Sequence, residues 1–194
     1  MIYIVSGMPR SGTTCMMRAL EAGGMTVASS PERDQMAAVH ADEHYQPNPD
    51  SKLYEVPLRE YGNVDFPLAY QDKVIKVMLW GLDSLAVNPD GYRVVIMRRD
   101  PEEIRQSYEA FFGHPLRHPW MADYEQRIRR AQRMLHNRSD VYSATVLNYR
   151  DLIDNPLSTF NELYELMEFD IDKAAATINP NLYRFRRERL TVGI

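Results

Sequence analysis

A loop rich in glycine and hydroxyl residues, spanning residues 7–14, follows the first apolar run of the chain. Its two glycines, Gly7 and Gly12, have the spacing of a phosphate-binding loop, in which backbone N–H groups and a helix N-terminus face one anion. The lysine that usually follows the second glycine is replaced by Thr13, and the cation of the loop is Arg10 instead. A nucleoside triphosphate hydrolase uses that lysine together with Mg²⁺. The loop therefore predicts an anion held by amides and an arginine, with no metal expected.

A second candidate anion site begins at Arg99, directly before a predicted helix start. Asp100 is a good helix N-cap, and Pro101 suits the first helical position. Ser107 stands eight residues beyond Arg99, which places it about two turns into the helix. This spacing allows Arg99 and Ser107 to flank one anion.

The first loop resembles the 5′-phosphosulfate loop of sulfotransferases that use 3′-phosphoadenosine 5′-phosphosulfate (PAPS). The residues that carry this resemblance are Pro9, Arg10, Ser11, Gly12, Thr13 and Thr14. The resemblance implies that Arg10 contacts the transferring sulfonate and its bridging oxygen, while the loop amides and threonine hydroxyls hold the 5′-phosphate. It also implies that Arg99 and Ser107 recognise the 3′-phosphate, which ATP lacks. The expected reaction moves the sulfonate to a hydroxyl or amine and leaves 3′-phosphoadenosine 5′-phosphate (PAP).

Two later segments extend the resemblance. Residues 147–156 resemble the family's Tyr-Glu-Asp-Leu … Asp-Pro segment, whose tyrosine, here Tyr149, lies near the nucleotide. A core aromatic that closes a strand is the alternative interpretation of Tyr149. The tail from residue 178 to 186 resembles the C-terminus of small bacterial members, which implies a tail arginine over the 3′-phosphate. Arg186 is the predicted residue, with Arg184 and Arg187 left open.

Transfer to a hydroxyl or amine requires a general base near the acceptor. Cytosolic family members use a histidine in a Lys-Thr-His segment, but the corresponding stretch here, residues 75–78, contains no histidine. Other members place a glutamate downstream of the loop cation, which corresponds to Glu32, 22 residues after Arg10. Glu32 is therefore the predicted base, with Glu55, His44 and Glu43 as alternates. An exposed loop carboxylate is the competing interpretation of Glu32.

The elements that must position these residues alternate between strands and helices. Apolar runs predict strands at 2–6, 73–79, 92–97 and 142–149, and helical spacing predicts helices at 13–22, after Pro101, at 124–137 and after Asp154. Strands alternating with helices favour a parallel sheet with crossover connections. The sequence thus predicts an α/β fold: one P-loop-like domain over residues 1–194, with three α/β/α layers about a central parallel sheet. In the helix after Pro101, the side chains expected to face inward are Ile104, Tyr108, Phe111 and Phe112.

Residues from about 29 to 62 show no regular period and are the predicted acceptor-binding segment. Aromatic walls suit sugars, phenols and peptides alike, so the expected acceptor stays a small molecule, a sugar or a peptide. The segment also contains His40 and His44 at helical spacing. With no third ligand in sight, a metal site is not expected there. The candidate wall residues are Tyr45, Tyr54, Tyr61, Phe66 and Trp80.

The composition narrows the partners. A formal net charge of −4 argues against general nucleic-acid binding. No stretch approaches the ~20 apolar residues of a membrane span. Cys15 is the only cysteine, which excludes an internal disulfide and favours a cytoplasmic location. The oligomeric state is left open.

Two rival functions stay as alternatives: a P-loop nucleotide or metabolite kinase, and a catalytically inactive nucleotide-binding protein.

Overall fold

The computed structural model describes residues 1–30, 54–116 and 121–187, and every structural statement below concerns them. At its centre are four parallel strands: β1 (Ile2–Gly7), β2 (Val74–Met78), β3 (Tyr92–Arg98) and β4 (Val141–Asn148). They lie in the order β2-β1-β3-β4. Valine and isoleucine dominate β1, β2 and β3, and these strands are buried along almost their whole length. That is the pattern of a parallel sheet covered on both faces.

Four helices of the described ranges lie at predicted positions: Thr13–Ala22, Pro101–Phe112, Tyr124–His136 and Pro156–Tyr164. Gly23 is the C-cap of the first of these helices. The short helix Phe66–Ala69 has no counterpart in the prediction. A short helix at residues 149–154, a break at Asn155 and a helix near residue 171 were not distinguished by the sequence pattern. The helices are α1 (Thr13–Ala22), α2 (Phe66–Ala69), α3 (Pro101–Phe112), α4 (Tyr124–His136), α5 (Tyr149–Asp154), α6 (Pro156–Tyr164) and α7 (Ile171–Ala176).

Two apolar cores lie on opposite faces of the sheet, because successive strand residues point to opposite sides. Ile4 belongs to the core that includes Leu135 of α4. Its neighbour Val5 belongs to the other core, with Leu20 of α1 and Phe160 of α6. The predicted arrangement of helices on both faces of a central parallel sheet is therefore confirmed.

The strand order places a topological switch point between β1 and β3. The chain leaves β1 to form β2 on one side and then crosses to β3 on the other. Ligand sites of open α/β sheets lie in the crevice at such a point, beyond the carboxyl ends of the strands. Gly7 at the end of β1 is in register with Met97, one residue before the end of β3. The loop after β1 and the segment after β3 therefore begin side by side.

Several residues expected at the acceptor site lie in the core instead. Tyr54, Tyr61 and Phe66 are 1%, 2% and 2% exposed. Hydrogen bonds hold the two tyrosines there: the Tyr54 hydroxyl donates to Glu21 at 2.7 Å, and the Tyr61 hydroxyl donates to the Val56 carbonyl at 3.2 Å. The expectation that these rings line a pocket is wrong.

The helix after Pro101 is less buried than its apolar pattern predicted. Ile104 lies in the core at 1% exposure. Tyr108, Phe111 and Phe112 are only half-buried, because they lie on the last turns of α3, towards its C-terminus. They stack on one another instead: the ring centroids of Tyr108 and Phe112 are 4.3 Å apart, and those of Phe111 and Phe112 are 4.7 Å apart.

None of the described helices combines the length and the apolar character that a membrane crossing requires.

Candidate active site

The loop between β1 and α1 has a backbone shape that constrains its sequence. Arg10 has a φ of 69° and Gly12 a φ of 101°, both in the left-handed region. Glycine is further required at position 12 because a Cβ atom there would lie 2.2 Å from Cδ2 of Tyr149. The Ser11 N–H donates to the Met8 carbonyl at 3.1 Å and closes a tight turn. Arg10 is thus held in a conformation that disfavours a residue with a side chain.

The helix that follows this loop begins without a side-chain cap. Gly12 is the N-cap of α1 and has no side chain to accept a hydrogen bond, and the first turn contains no acidic residue. By contrast, Asp100 caps α3 by accepting from the N–H groups of Glu102 at 2.9 Å and Glu103 at 3.2 Å. The buried hydroxyl of Ser11 also has no hydrogen-bond partner in the described part of the chain. An uncapped helix start beside an unpaired hydroxyl fits an anion such as a phosphate group.

The two predicted anion motifs meet at Arg10. Its Nε donates to Oγ of Ser107 at 3.1 Å, across 97 residues of sequence. Its Cζ atom also lies 4.7 Å from the centroid of the Phe111 ring. The loop cation is thus placed between the hydroxyl of the second motif and an aromatic ring on the same helix.

A lysine from β2 approaches the other side of the loop. Lys76 is only 3% exposed, and its Nζ donates to Oγ1 of Thr14 at 3.3 Å. The same Nζ lies 3.6 Å from Oε1 of Glu55. Glu55, an alternate candidate for the base, is therefore an ion-pair partner of a lysine that contacts the loop.

Arg99 is enclosed by protein rather than exposed at the strand end. Its Nε donates to Oε2 of Glu103 at 3.0 Å, and its Nη1 donates to the carbonyl of Arg10 at 3.0 Å. Its Cζ lies 4.8 Å from the ring centroid of Tyr149 and 5.0 Å from that of Tyr183. Arg99, predicted from its spacing to Ser107, therefore contacts the phosphate loop directly.

Tyr149 closes the site from the end of β4. Its ring lies against Gly12 and meets the Tyr183 ring edge-on, with centroids 5.1 Å apart. Burial, the largest cause, raises the pKa of Tyr149 well above its usual value. The phenol therefore stays protonated at neutral pH. Tyr149 is a core aromatic, 7% exposed, whose ring also contacts the loop, while its place near the nucleotide stays a prediction.

A groove of about 450 Å³ lies beside Arg99, between the ends of β3 and β4 and the tail. Arg187 lines this groove, and its Nη1 is 3.7 Å from Oδ1 of Asp100. Arg186 does not line it; its Nη2 donates to Oδ2 of Asp154 at 2.7 Å. The charged lining residues are Arg98, Arg99, Arg150 and Arg187 with Asp100, Glu103, Glu125 and Asp151.

Sequence reasoning overlooked Glu103. This carboxylate is 0% exposed and accepts from Arg99, Arg150 and Tyr183 and from the Arg187 N–H. The available signal was its position four residues after Arg99, which is the spacing of a helical ion pair. A carboxylate at this position also suits the positive N-terminal end of the helix.

The other predicted bases, Glu32, Glu43 and His44, lie outside the described residues, as do His40 and Tyr45. Among residues 1–30, 54–116 and 121–187, no three His, Cys, Asp or Glu side chains come together in a way that would hold a metal ion.

A family model described as a sulfotransferase domain matches residues 3–176, most of the chain and both predicted motifs. The chain belongs to the sulfotransferase family. This membership confirms the resemblance predicted from the loop and makes the protein a PAPS-dependent sulfotransferase. The search of curated protein sequences gives no match.

Two solved sulfotransferase structures agree with the fold of this protein. The sulfotransferase domain of the Synechococcus PCC 7002 olefin synthase is 15% identical with a TM-score of 0.53, covering 99% of this chain and 89% of its own. Sulfotransferase STF9 from Mycobacterium avium is 14% identical with a TM-score of 0.51, and the match covers 96% of this chain and 69% of STF9. A sugar kinase from Janibacter sp. HTCC2649 is 16% identical with a TM-score of 0.45, covering 92% and 98%.

Replacing the loop glycine provides a test of the close approach to Tyr149. We expect Gly12→Ala to weaken PAP binding at least hundredfold, because the added Cβ must displace either the ring or the loop. Calorimetric titration with PAP measures this effect.

The matched control is Gly113→Ala. Gly113 also has a positive φ, 70°, but a Cβ there meets nothing within 4 Å. This variant should lose about 1–2 kcal/mol of stability from backbone strain and keep its PAP affinity. Unchanged PAP binding by Gly12→Ala would contradict the packing argument.

Proposed function

We propose that this sulfotransferase moves the sulfonate of PAPS to a hydroxyl or amine of a small-molecule, sugar or peptide acceptor, in a direct transfer that needs no metal. The observation that carries the proposal is the contact of Arg10 with Ser107 beside an uncapped helix start. It joins a cation, an amide-lined loop and the second motif within one small region.

The 5′ end of the donor is assigned to the loop. The start of α1 and the hydroxyl of Ser11 supply hydrogen-bond donors, and Thr13 and Thr14 begin the helix. Pro9 and Gly12 shape the turn. Lys76 adds a positive charge behind Thr14. An oxyanion at this position is favoured by the helix dipole and by hydrogen bonds to backbone amides.

Arg10 is assigned to the transferring group. Negative charge develops on the leaving phosphate oxygen as the sulfur–oxygen bond breaks, so a fixed cation at that oxygen acts mainly on the transition state. The planar guanidinium suits two oxygens at once. The left-handed backbone of Arg10 and the contacts with Ser107 and Phe111 support a fixed position.

The 3′ end is assigned to Arg99 and Ser107, together with the groove beside Arg99. Arg187 is preferred over Arg186 as the tail arginine because Arg187 lines that groove and Arg186 pairs with Asp154. The Tyr149 ring packs on the guanidinium of Arg99 and against Gly12, and so restricts the movement of both.

The acceptor is assigned to the side of Arg10 that carries the aromatic residues Tyr108, Phe111 and Phe112. Among them, the Phe111 ring centroid lies 4.7 Å from Cζ of Arg10. An acceptor must bring its nucleophile close to the sulfonate that Arg10 binds, and this aromatic surface lies next to that position.

A cytoplasmic location is part of the proposal, since the single cysteine forms no internal disulfide.

Nucleotide binding measured by calorimetry tests the donor assignment. PAP should bind in EDTA, whereas ADP and ATP, which lack the 3′-phosphate, should bind at least tenfold more weakly with or without Mg²⁺. Arg187→Ala should lower PAP affinity about tenfold or more, the value of a hydrogen bond to a charged group, and Arg186→Ala should not. Binding of ATP as tight as that of PAP would instead favour the kinase alternative.

Replacing the loop cation tests the transfer step. With radiolabelled PAPS and a panel of p-nitrophenol, glucosamine and a tyrosine peptide, Arg10→Ala should lower turnover at least 10²-fold. The control Arg130→Ala removes an exposed arginine of α4 and should stay within twofold of wild type. Equal turnover by Arg10→Ala would remove Arg10 from the mechanism.

A parallel pair of variants tests the base. Glu32→Gln should keep PAP binding and lower turnover about 10²–10⁴-fold. Glu55→Gln should act mainly on donor affinity, because Glu55 is paired with Lys76 beside Thr14. The reverse result, with turnover lost only in Glu55→Gln, would move the base to Glu55, and full turnover in both variants would move it to His44 or Glu43.

A further inference from the structure

Glu103 is a fully buried carboxylate whose bonds come from three separate parts of the chain. Oε2 accepts from Nε of Arg99 at 3.0 Å and from the hydroxyl of Tyr183 at 2.5 Å. Oε1 accepts from Nη2 of Arg150 at 3.1 Å and from the N–H of Arg187 at 2.9 Å. Two bonds at each oxygen use the full accepting capacity of a carboxylate. Such saturation of a 0% exposed group indicates a defined structural task.

One of these partners connects Glu103 to the phosphate loop. Arg99 bonds to Glu103 through Nε and to the carbonyl of Arg10 through Nη1, at 3.0 Å each. Because a guanidinium group is planar and rigid, fixing Nε also fixes the direction of Nη1. The rings of Tyr149 and Tyr183 restrict the remaining motion of that plane.

The peptide group between Arg10 and Ser11 is consequently held at both ends. Its oxygen accepts from Arg99, and its N–H donates to the Met8 carbonyl at 3.1 Å. This peptide follows the left-handed Arg10, whose φ is 69°. A residue with a side chain stays in that conformation only when its surroundings hold it there.

We propose that Glu103 is a positioning residue for sulfonate transfer: through Arg99 it fixes the Arg10–Ser11 peptide and so the direction of the Arg10 side chain. The inference rests on the proposed role of Arg10. It also gives Arg99 a second task, since the same guanidinium that is assigned to the 3′-phosphate orients the loop at the 5′ end.

The decisive variant is Glu103→Gln, which keeps the shape of the side chain. A carboxamide has one accepting oxygen and an NH₂ group that can only donate, so it cannot serve four donors. We expect kcat to fall at least tenfold, measured with whichever of p-nitrophenol, glucosamine and the tyrosine peptide the wild-type enzyme sulfonates. The amide resonance of Ser11 in a ¹H–¹⁵N correlation spectrum should move. The control Glu102→Gln changes a carboxylate on the same first turn of α3 that bonds to Arg105 and Gln106 and not to Arg99, so it should change neither reading.

A double-mutant cycle separates positioning from general stability. If Glu103 acts through Arg99, then in an Arg99→Ala background Glu103→Gln should change kcat less than twofold. An equal loss in both backgrounds would overturn the proposal, as would a Glu103→Gln protein with an unchanged kcat or an unchanged Ser11 resonance.

Arg99→Lys covers the case in which Glu103→Gln does not fold. Lysine keeps the charge but lacks the planar pair of donors, so kcat should again fall at least tenfold, and wild-type kcat would overturn the proposal. The Ser11 resonance does not depend on turnover. A wild-type protein without transfer activity would count against the proposed function alone, whereas a Ser11 resonance unmoved by Glu103→Gln would count against the positioning role alone.

Discussion

The parallel pairing of β1 with β3 is the constraint on which the site depends. Gly7 and Met97 lie in register, so the loop that starts after one strand and the segment that starts after the other leave the sheet at the same edge. From there the distance between Arg10 and Arg99 is short enough for a direct hydrogen bond, although 89 residues separate them. A shift of this pairing by one residue would turn every side chain of the strand to the other face and separate the two motifs.

Within this frame, two arginines divide the work. Arg10 is half-buried and reaches Ser107 and Phe111 from the loop. Arg99 is almost fully buried. It donates hydrogen bonds to a carboxylate and a carbonyl and packs on two aromatic rings. A buried guanidinium is tolerated because Glu103 supplies the opposite charge and several bonds satisfy its donors. The consequence is a rigid support under a strained loop.

The local signals in the sequence predicted the fold and the two motifs. The apolar runs of the strands, the glycine loop and the capping of α3 by Asp100 each depend on neighbouring residues, so they can be interpreted without knowledge of the tertiary structure. The role of Glu103 could not be predicted in this way, because three of its four partners belong to residues 150, 183 and 187. The same holds for Tyr54 and Tyr61, whose aromatic character suits a pocket wall as well as a core. Arg186 and Arg187 are adjacent in sequence, and only the path of the tail separates their environments.

The uncapped start of α1 has a thermodynamic consequence. A serine or aspartate at position 12 would cap the helix and stabilise it by about 1 kcal/mol, but the ring of Tyr149 leaves no space for any side chain there. In the proposed function, the 5′-phosphate of the donor completes the helix start in place of a capping side chain. Ligand binding and helix stability are then linked: the donor stabilises the folded state, and the nucleotide-free protein keeps a weaker helix end. A side-chain cap would stabilise the helix but would occupy the position proposed for the phosphate, so the lower stability keeps that position accessible to the donor.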